Sequence, residues 1–310
     1  MYFLFVVDGD WLEYHKNQKV NINKFLELIE QEKIISQKYL NNNLIHLIHI
    51  SKIEPTIFLK EPFLSEWRLF FNNGKIGLHC HFDIPNKESY YDKIDELTSF
   101  IEQKIQLLLN EKINIQAYRG GYCSFDFKLI DLFLKYNIHF DFSAIPGKKI
   151  FLYNNKISDW SNSPHFFYEL KEKTFFEVPI GSNKINHLCL ERLTEKKIIN
   201  ILNFLKERKY RVKIPAISII THSYMFKPIY YSKNFLPFEN LFTTNKITYK
   251  LTEIIQNTIT KIPEFKKLLK IKKFSFSAIY YKLHLIKMIN ILKNYGEFIN
   301  INDLKNLINI

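Results

Sequence analysis

The sequence contains few of the residues that build flexible linkers or disulfide frameworks. Its 310 residues include only 8 glycines and 10 prolines, which leaves little room for long linkers between domains. The three cysteines, Cys80, Cys123 and Cys189, are odd in number and widely spaced, so they do not read as a disulfide framework. We therefore expect the protein to work in a reducing compartment.

Long apolar runs are also missing. No segment reaches the roughly 18 consecutive apolar residues that a membrane span needs. Residues 2–7 are apolar and have no basic region before them, which is typical of a buried first strand rather than of a secretion signal. We expect a cytoplasmic protein without a transmembrane segment, for which peripheral contact with a membrane surface stays open.

The chain is rich in core-forming residues and in positive charge. Hydrophobic residues make up 46% of the sequence and aromatic residues 16%, which argues against disorder. The formal net charge of +13 raises the question of nucleic-acid binding. Lysine, however, accompanies isoleucine and asparagine along the whole chain, so nucleic acid is not the expected partner. The lysines between 266 and 273 suit a solvated face, or attraction to an anionic glycan or membrane surface.

Helical and strand-like segments alternate over most of the chain. Apolar residues recur at helical intervals in three segments: 23–33, 91–110 and 125–136. Apolar or β-branched runs predict five strands: 3–7, 75–78, 113–118, 138–142 and 217–220. This alternation predicts an α/β fold with parallel strands over residues 1–235. Segments 248–262 and 278–294 then predict a helical C-terminal extension over 236–310.

Four short polar clusters follow predicted strands. They are Asp8-Gly9-Asp10, His79-Cys80-His81, Arg119-Gly120-Gly121-Tyr122 and Thr221-His222-Ser223. In a barrel of parallel strands the C-terminal ends meet at one rim, so such clusters can share one site. Carboxylates, paired histidines, an arginine and a late histidine are the parts of a mononuclear metal hydrolase.

The first two clusters carry the candidate metal ligands. Asp8 and Asp10 would lie on one side of an extended chain, so that one can ligate a metal while the other acts as a base, although for this cluster taken alone a plain Asp-Gly turn is the better explanation. His79 and His81 also share one side and, with a carboxylate, would make a three-ligand site with an open position. If the chain turns helical after His79, Asp83 replaces His81 as the ligand.

The remaining polar groups have weaker patterns. The two glycines after Arg119 allow a tight loop, and the arginine can hold a carboxylate ionised and in place, but the same residues fit an ordinary turn. His222 can donate a proton to a leaving group, although a lone histidine is usually structural. His46 and His49 lie in an apolar run, and we expect them to be core residues or to lie on a neighbouring face.

Taken in order, the clusters resemble the motifs of the polysaccharide deacetylases of the NodB-homology type, carbohydrate esterase family 4, over about residues 3–225. Two more segments add to the resemblance: Phe140-Asp141-Phe142-Ser143 through Pro146-Gly147, and Glu177-Val178-Pro179-Ile180-Gly181. The chain departs from the family pattern in three places. Gly9 separates the aspartates, the histidines are two rather than four residues apart, and Gly121 stands where proline is usual.

The resemblance implies a distorted (β/α) barrel and one divalent metal ion, zinc first, with cobalt, nickel or iron as alternatives. It implies that Asp8 is the general base and that Arg119 orients it. Asp10, His79 and His81 would be the metal ligands, with Asp83 as the alternative third ligand. The Tyr122 backbone N–H would form part of an oxyanion hole, and His222 would be the general acid.

The leading hypothesis is a metal-dependent hydrolase that removes an N-acetyl or other short acyl group from an amino sugar. The substrate would be a glycan or a nucleotide-linked or lipid-linked precursor in surface polysaccharide biosynthesis. Two alternatives stay open: hydrolysis of a non-sugar C–N bond, and a catalytically inactive barrel that binds glycans or serves as a scaffold. An open site flanked by aromatic residues such as Trp11, Tyr122 and Trp160 would favour a sugar substrate.

Overall fold

A computed structural model describes residues 1–9, 22–51, 57–81, 93–152, 155–226 and 282–310. The strands are β1 (Tyr2–Asp8), β2 (Leu44–Ser51), β3 (Ile76–His81), β4 (Ala117–Gly120), β5 (Phe140–Asp141), β6 (Lys149–Leu152), β7 (Asn155–Asp159), β8 (Tyr168–Lys171), β9 (Phe175–Glu177), β10 (Ala216–His222) and β11 (Glu297–Phe298). The helices are α1 (Ile22–Tyr39), α2 (Phe63–Glu66), α3 (Ile94–Asn110), α4 (Leu129–Lys135), α5 (Glu195–Lys206), α6 (282–293) and α7 (Ile301–Ile308).

Eight strands form one curled sheet in the order β10-β1-β2-β3-β4-β5-β9-β8. All neighbours in it are parallel except β8, which runs antiparallel to β9. The curled sheet is a half-barrel, and the residues after β9 approach its opposite end. There Ser218 donates its backbone N–H to Pro179 at 2.9 Å, and Gly181 donates to Ser218 at 3.1 Å. The predicted α/β class is confirmed, and the architecture is compatible with a distorted barrel.

The central strands are buried over their whole length. Phe3 to Val7 in β1 have no exposed surface, and every residue of β3 is buried. The apolar run of β1 is expected for a parallel strand that is covered on both faces, whereas β3 also buries His79 and His81. In α3 the buried residues Leu97, Ile101, Ile105 and Leu108 lie on one face, which confirms the helix predicted over this segment.

Residues 44–51 form strand β2, which lies between β1 and β3 and was not predicted from the sequence. All eight of its residues are buried. The two histidines in this run, His46 and His49, interrupt the apolar pattern by which a buried strand is recognised. Each of them finds polar neighbours inside the protein, so the strand tolerates both.

The described part of the predicted C-terminal extension is helical but also contains a strand. Helix α6 buries Leu285, Met288, Ile289 and Leu292 in the same core as the sheet. Strand β11 then pairs in parallel with the start of β1, next to β2, and the Ile299 N–H donates to the Phe3 carbonyl at 3.0 Å. The predicted helix 248–262 and the boundary at residue 235 lie outside the described residues. Within the described ranges, no helix combines the length and the hydropathy needed to cross a bilayer.

Candidate metal and acid–base site

A buried ion pair lies inside the curl of the sheet. Asp8 ends β1 and has no exposed surface, and Arg119 of β4 donates a hydrogen bond from its guanidinium to Oδ2 of Asp8. A second guanidinium nitrogen of Arg119 donates to Sγ of Cys123 at 3.2 Å. Strands β2 and β3 separate β1 from β4, so this contact spans the interior of the curl. The other oxygen, Oδ1 of Asp8, is buried and accepts no hydrogen bond from the described residues.

Three buried histidines form a compact group beside this pair, which we call the histidine cluster: His49, His79 and His81. His49 of β2 is the register neighbour of His79 of β3. One nitrogen of each ring lies within 4.8 Å of those of the other two. Nε2 of His81 is 3.0 Å from Nε2 of His79. Because neighbouring parallel strands present matched residues on the same face, the sheet itself brings the rings together.

The donor set of the histidine cluster fits a divalent transition metal. Nδ1 of His79 lies 3.1 Å from the carbonyl oxygen of Arg119, which can only accept, so Nδ1 carries the proton and the Nε2 lone pair faces His81. Such a backbone contact is the usual way of orienting a histidine ligand. Tetrahedral zinc, with nitrogen ligands at about 2.0–2.1 Å, places them about 3.3 Å apart, close to the spacing of His79 and His81.

Two of the predicted ligands, His79 and His81, belong to the histidine cluster, whereas Asp10 and Asp83 lie outside the described residues. His49 was expected to be a core or neighbouring-face residue, and although it is buried, it also lies within the cluster. Recognising 44–51 as a strand beside β3 would have revealed it. His46 is a core residue as expected: its Nδ1 is 2.7 Å from a buried Glu32 oxygen, and its ring stacks on that of Trp67.

His222 lies on the other side of Asp8. It ends β10 as the register neighbour of Asp8, with Nε2 3.9 Å from Oδ2 of Asp8. Its Nδ1 donates to Oε1 of Glu191. Glu191 is buried and also accepts hydrogen bonds from Sγ of Cys189 at 2.9 Å and from Oγ1 of Thr221 at 3.4 Å.

Glu191 keeps its charge despite its burial. Burial alone would raise the pKa of Glu191, but the charge of His222 and the hydrogen bonds outweigh it and lower that pKa to about 2. An ionised Glu191 fixes the orientation of the His222 ring and directs its Nε2 towards Asp8. Sequence reasoning missed Glu191 and the role of Cys189 because neither follows a predicted strand.

The loop after β4 packs tightly against the histidine cluster. A Cβ on Gly121 would lie 2.8 Å from Nδ1 of His81, so this close approach requires glycine. Tyr122 follows with a left-handed backbone, φ 53°, and its ring centre is 5.1 Å from that of His81. The Tyr122 side chain is 40% exposed and forms an accessible aromatic surface beside the cluster.

Two carboxyl groups share the interior next to Arg119. Asp141 and Glu177 end β5 and β9 as register neighbours, and both are fully buried. Burial raises the pKa of Asp141 to about 6. Burial and the neighbouring Asp141 raise the pKa of Glu177 well above its usual range. Two carboxyl groups in one dry site hold a proton between them, because both cannot ionise together at low cost.

The described residues therefore bring together a buried carboxylate–guanidinium pair, a metal-type histidine cluster and a carboxylate-held histidine at the ends of adjacent strands. Comparisons of the chain with protein-family models and with curated proteins gave no match.

Proposed function

We propose that this protein is a metal-dependent hydrolase that removes an N-acetyl or other short acyl group from an amino sugar. The proposal rests on the position of Asp8, which Arg119 holds through Oδ2. Oδ1 of Asp8 is 3.9 Å from Nδ1 of His79, and Oδ2 is 3.9 Å from Nε2 of His222. A carboxylate fixed between a metal-type cluster and a histidine that can donate a proton supplies the base and the acid that metal-assisted amide hydrolysis uses.

His49, His79 and His81 would hold the divalent metal ion, zinc first, with cobalt, nickel or iron as alternatives. Asp10 and Asp83 stay candidates for a further ligand. When bound, the ion would polarise the amide carbonyl and make a water molecule more acidic. Three protein ligands leave a position open for these groups, as in catalytic zinc sites.

Asp8 would act as the general base. Arg119 occupies its Oδ2, so Oδ1, which lies 3.9 Å from Nδ1 of His79 and accepts no hydrogen bond from the described residues, would be the oxygen that takes the proton from the attacking water. Arg119 holds the carboxylate in this orientation and balances its charge in the buried site. The Tyr122 backbone N–H would stabilise the developing oxyanion, a contribution worth about 3 kcal/mol of barrier for one donor.

His222 would act as the general acid. Glu191 holds the Nδ1 proton and stabilises the imidazolium form, which leaves Nε2 to give a proton to the departing amine. Because Nε2 lies on the Asp8 side of the ring, base and acid work on neighbouring atoms of one substrate. This division of labour resembles that of the NodB-type deacetylases.

The substrate we propose is an amino-sugar glycan, or a nucleotide-linked or lipid-linked precursor of a surface polysaccharide. The exposed Tyr122 ring offers a stacking surface for a sugar next to the histidine cluster. Trp160 does not add to that surface, because it is buried and its Nε1 donates to the Cys123 carbonyl at 2.9 Å; Trp11 lies outside the described residues. The three free, buried cysteines suit the cytoplasm.

The test is release of acetate from N-acetylglucosamine oligomers and from a nucleotide-linked N-acetylglucosamine by the zinc-loaded protein. We expect activity that a chelator abolishes and added metal restores. Asp8→Asn, which keeps the shape of the side chain, should lower the rate by about 10²–10⁴. His139→Ala is the matched control, since His139 precedes β5 at the end opposite Asp141 and contacts the Thr174 carbonyl. Activity that survives chelation, or that Asp8→Asn retains, would refute the proposal.

A further inference from the structure

A second set of metal-type donors adjoins the acid–base site. Sγ of Cys189, a carboxylate oxygen of Glu191 and a ring nitrogen of His222 all lie within 4.8 Å of one another. We propose that this cysteine group (Cys189, Glu191 and His222) binds a second divalent cation, of the thiophilic class to which zinc belongs, separately from the histidine cluster. Thiolate, carboxylate and imidazole are all ordinary zinc ligands.

The backbone holds the three donors in place. Cys189 forms a parallel bridge to Ile220, two residues before His222, so both side chains belong to one edge of β10. The Cys189 thiol and Nδ1 of His222 both donate to the same oxygen, Oε1 of Glu191. Two protons therefore converge on one carboxylate oxygen, and a cation in their place would keep all three donors as ligands.

The environment favours a soft cation. Cys189 and Glu191 are buried, whereas the His222 side chain retains 17% of its exposure and leaves a route to solvent. Glu191 contributes a carboxylate oxygen that already accepts hydrogen bonds from both other members of the group. A sulfur ligand selects zinc and its thiophilic neighbours over magnesium or calcium, which prefer oxygen donors.

Binding would release protons and immobilise His222. The thiol gives up its proton to become a thiolate, and Nδ1 of His222 must present its lone pair. If His222 is neutral, its single proton moves from Nδ1 to Nε2, and only the thiol proton leaves the protein. If His222 is an imidazolium ion, the Nδ1 proton leaves together with the thiol proton, so two protons are released. His222 would then no longer alternate between its two charge states. Excess zinc should therefore inhibit acetate release, because His222 is the proposed general acid. This inhibition is the one part of the inference that rests on the proposed function.

Cobalt(II) is the probe that tests the site, because a thiolate bound to cobalt gives a charge-transfer absorption in the near ultraviolet that imidazole and carboxylate do not. We expect this band when the full chain is titrated with cobalt under a reductant, after the histidine cluster or together with it. Cys189→Ala should lose the band and still bind one cobalt ion, which also shows that the variant is folded. His49→Ala should keep the band.

Cys80→Ala is the matched cysteine control, since Cys80 is equally buried but belongs to β3, and it should keep the band. Absence of the band in the parent protein, or its persistence in Cys189→Ala, would overturn the inference. The band does not depend on turnover. If the protein shows the band but releases no acetate, the second site is supported and the proposed function is refuted. If it releases acetate but shows no band, the proposed function is supported and the second site is refuted.

Discussion

Replacing Arg119 with methionine tests the ion pair on which the proposed site is built. The Asp8 side chain is fully buried and the Arg119 side chain is only 8% exposed. Methionine keeps much of the volume of arginine but removes the charge, so the Asp8 carboxylate would stay in the interior without its cation. Removing one partner of a buried pair costs about 3–5 kcal/mol of stability, whereas exposed pairs are worth about 0–1 kcal/mol. We expect Arg119→Met to lower the free energy of unfolding by about 3–5 kcal/mol.

A double-mutant cycle separates the charge effect from lost packing. In the variant that carries both Asp8→Asn and Arg119→Met, no unpaired charge is left, so it should be more stable than the sum of the two single losses predicts. Urea unfolding followed by circular dichroism measures all four proteins. A loss below about 1 kcal/mol for Arg119→Met, the value of an exposed pair, would refute the reasoning. Strictly additive losses would refute it as well.

Three further predictions concern the metal, the acid and the buried carboxyl pair. His79→Ala should lower the divalent metal measured by elemental mass spectrometry by about one ion per chain, while His139→Ala binds as much as the parent protein; equal metal in both variants would contradict the histidine cluster. His222→Gln should lower kcat for acetate release by about 10²–10⁴ with little change in KM, and an unchanged kcat would exclude His222 as the acid. Because burial raises the pKa of both Glu177 and Asp141, the folded state binds more protons than the unfolded state. The free energy of unfolding should therefore fall as the pH rises from about 4 through 6 and beyond. One extra proton gives a slope of up to about 1.4 kcal/mol per pH unit. Glu177→Gln should flatten this fall in urea-unfolding measurements, and a curve parallel to that of the parent protein would contradict the shared proton.

Local pattern was sufficient to locate most of the elements that carry the site. The apolar runs before Asp8, His79 and His222 predicted strands, and β1, β3 and β10 contain them. The predicted strand 113–118 overlaps β4, which begins later, at Ala117; residues 113–116 belong to no helix or strand. A buried parallel strand such as β1 can be recognised from its own residues, since burial on both faces favours a nearly continuous apolar run, but β2, which His46 and His49 interrupt, cannot.

The sequence by itself determined that the strands around the site are parallel and that polar residues follow them, because the alternation of helices and strands and the apolar runs are local patterns. Only the tertiary structure decided which of these residues meet. His49 joins His79 through the register between β2 and β3, and Glu191 reaches His222 from a segment that follows no strand. Such contacts depend on strand order and register, which arise from packing across the whole sheet. They cannot be predicted from the residues next to either side chain in the sequence.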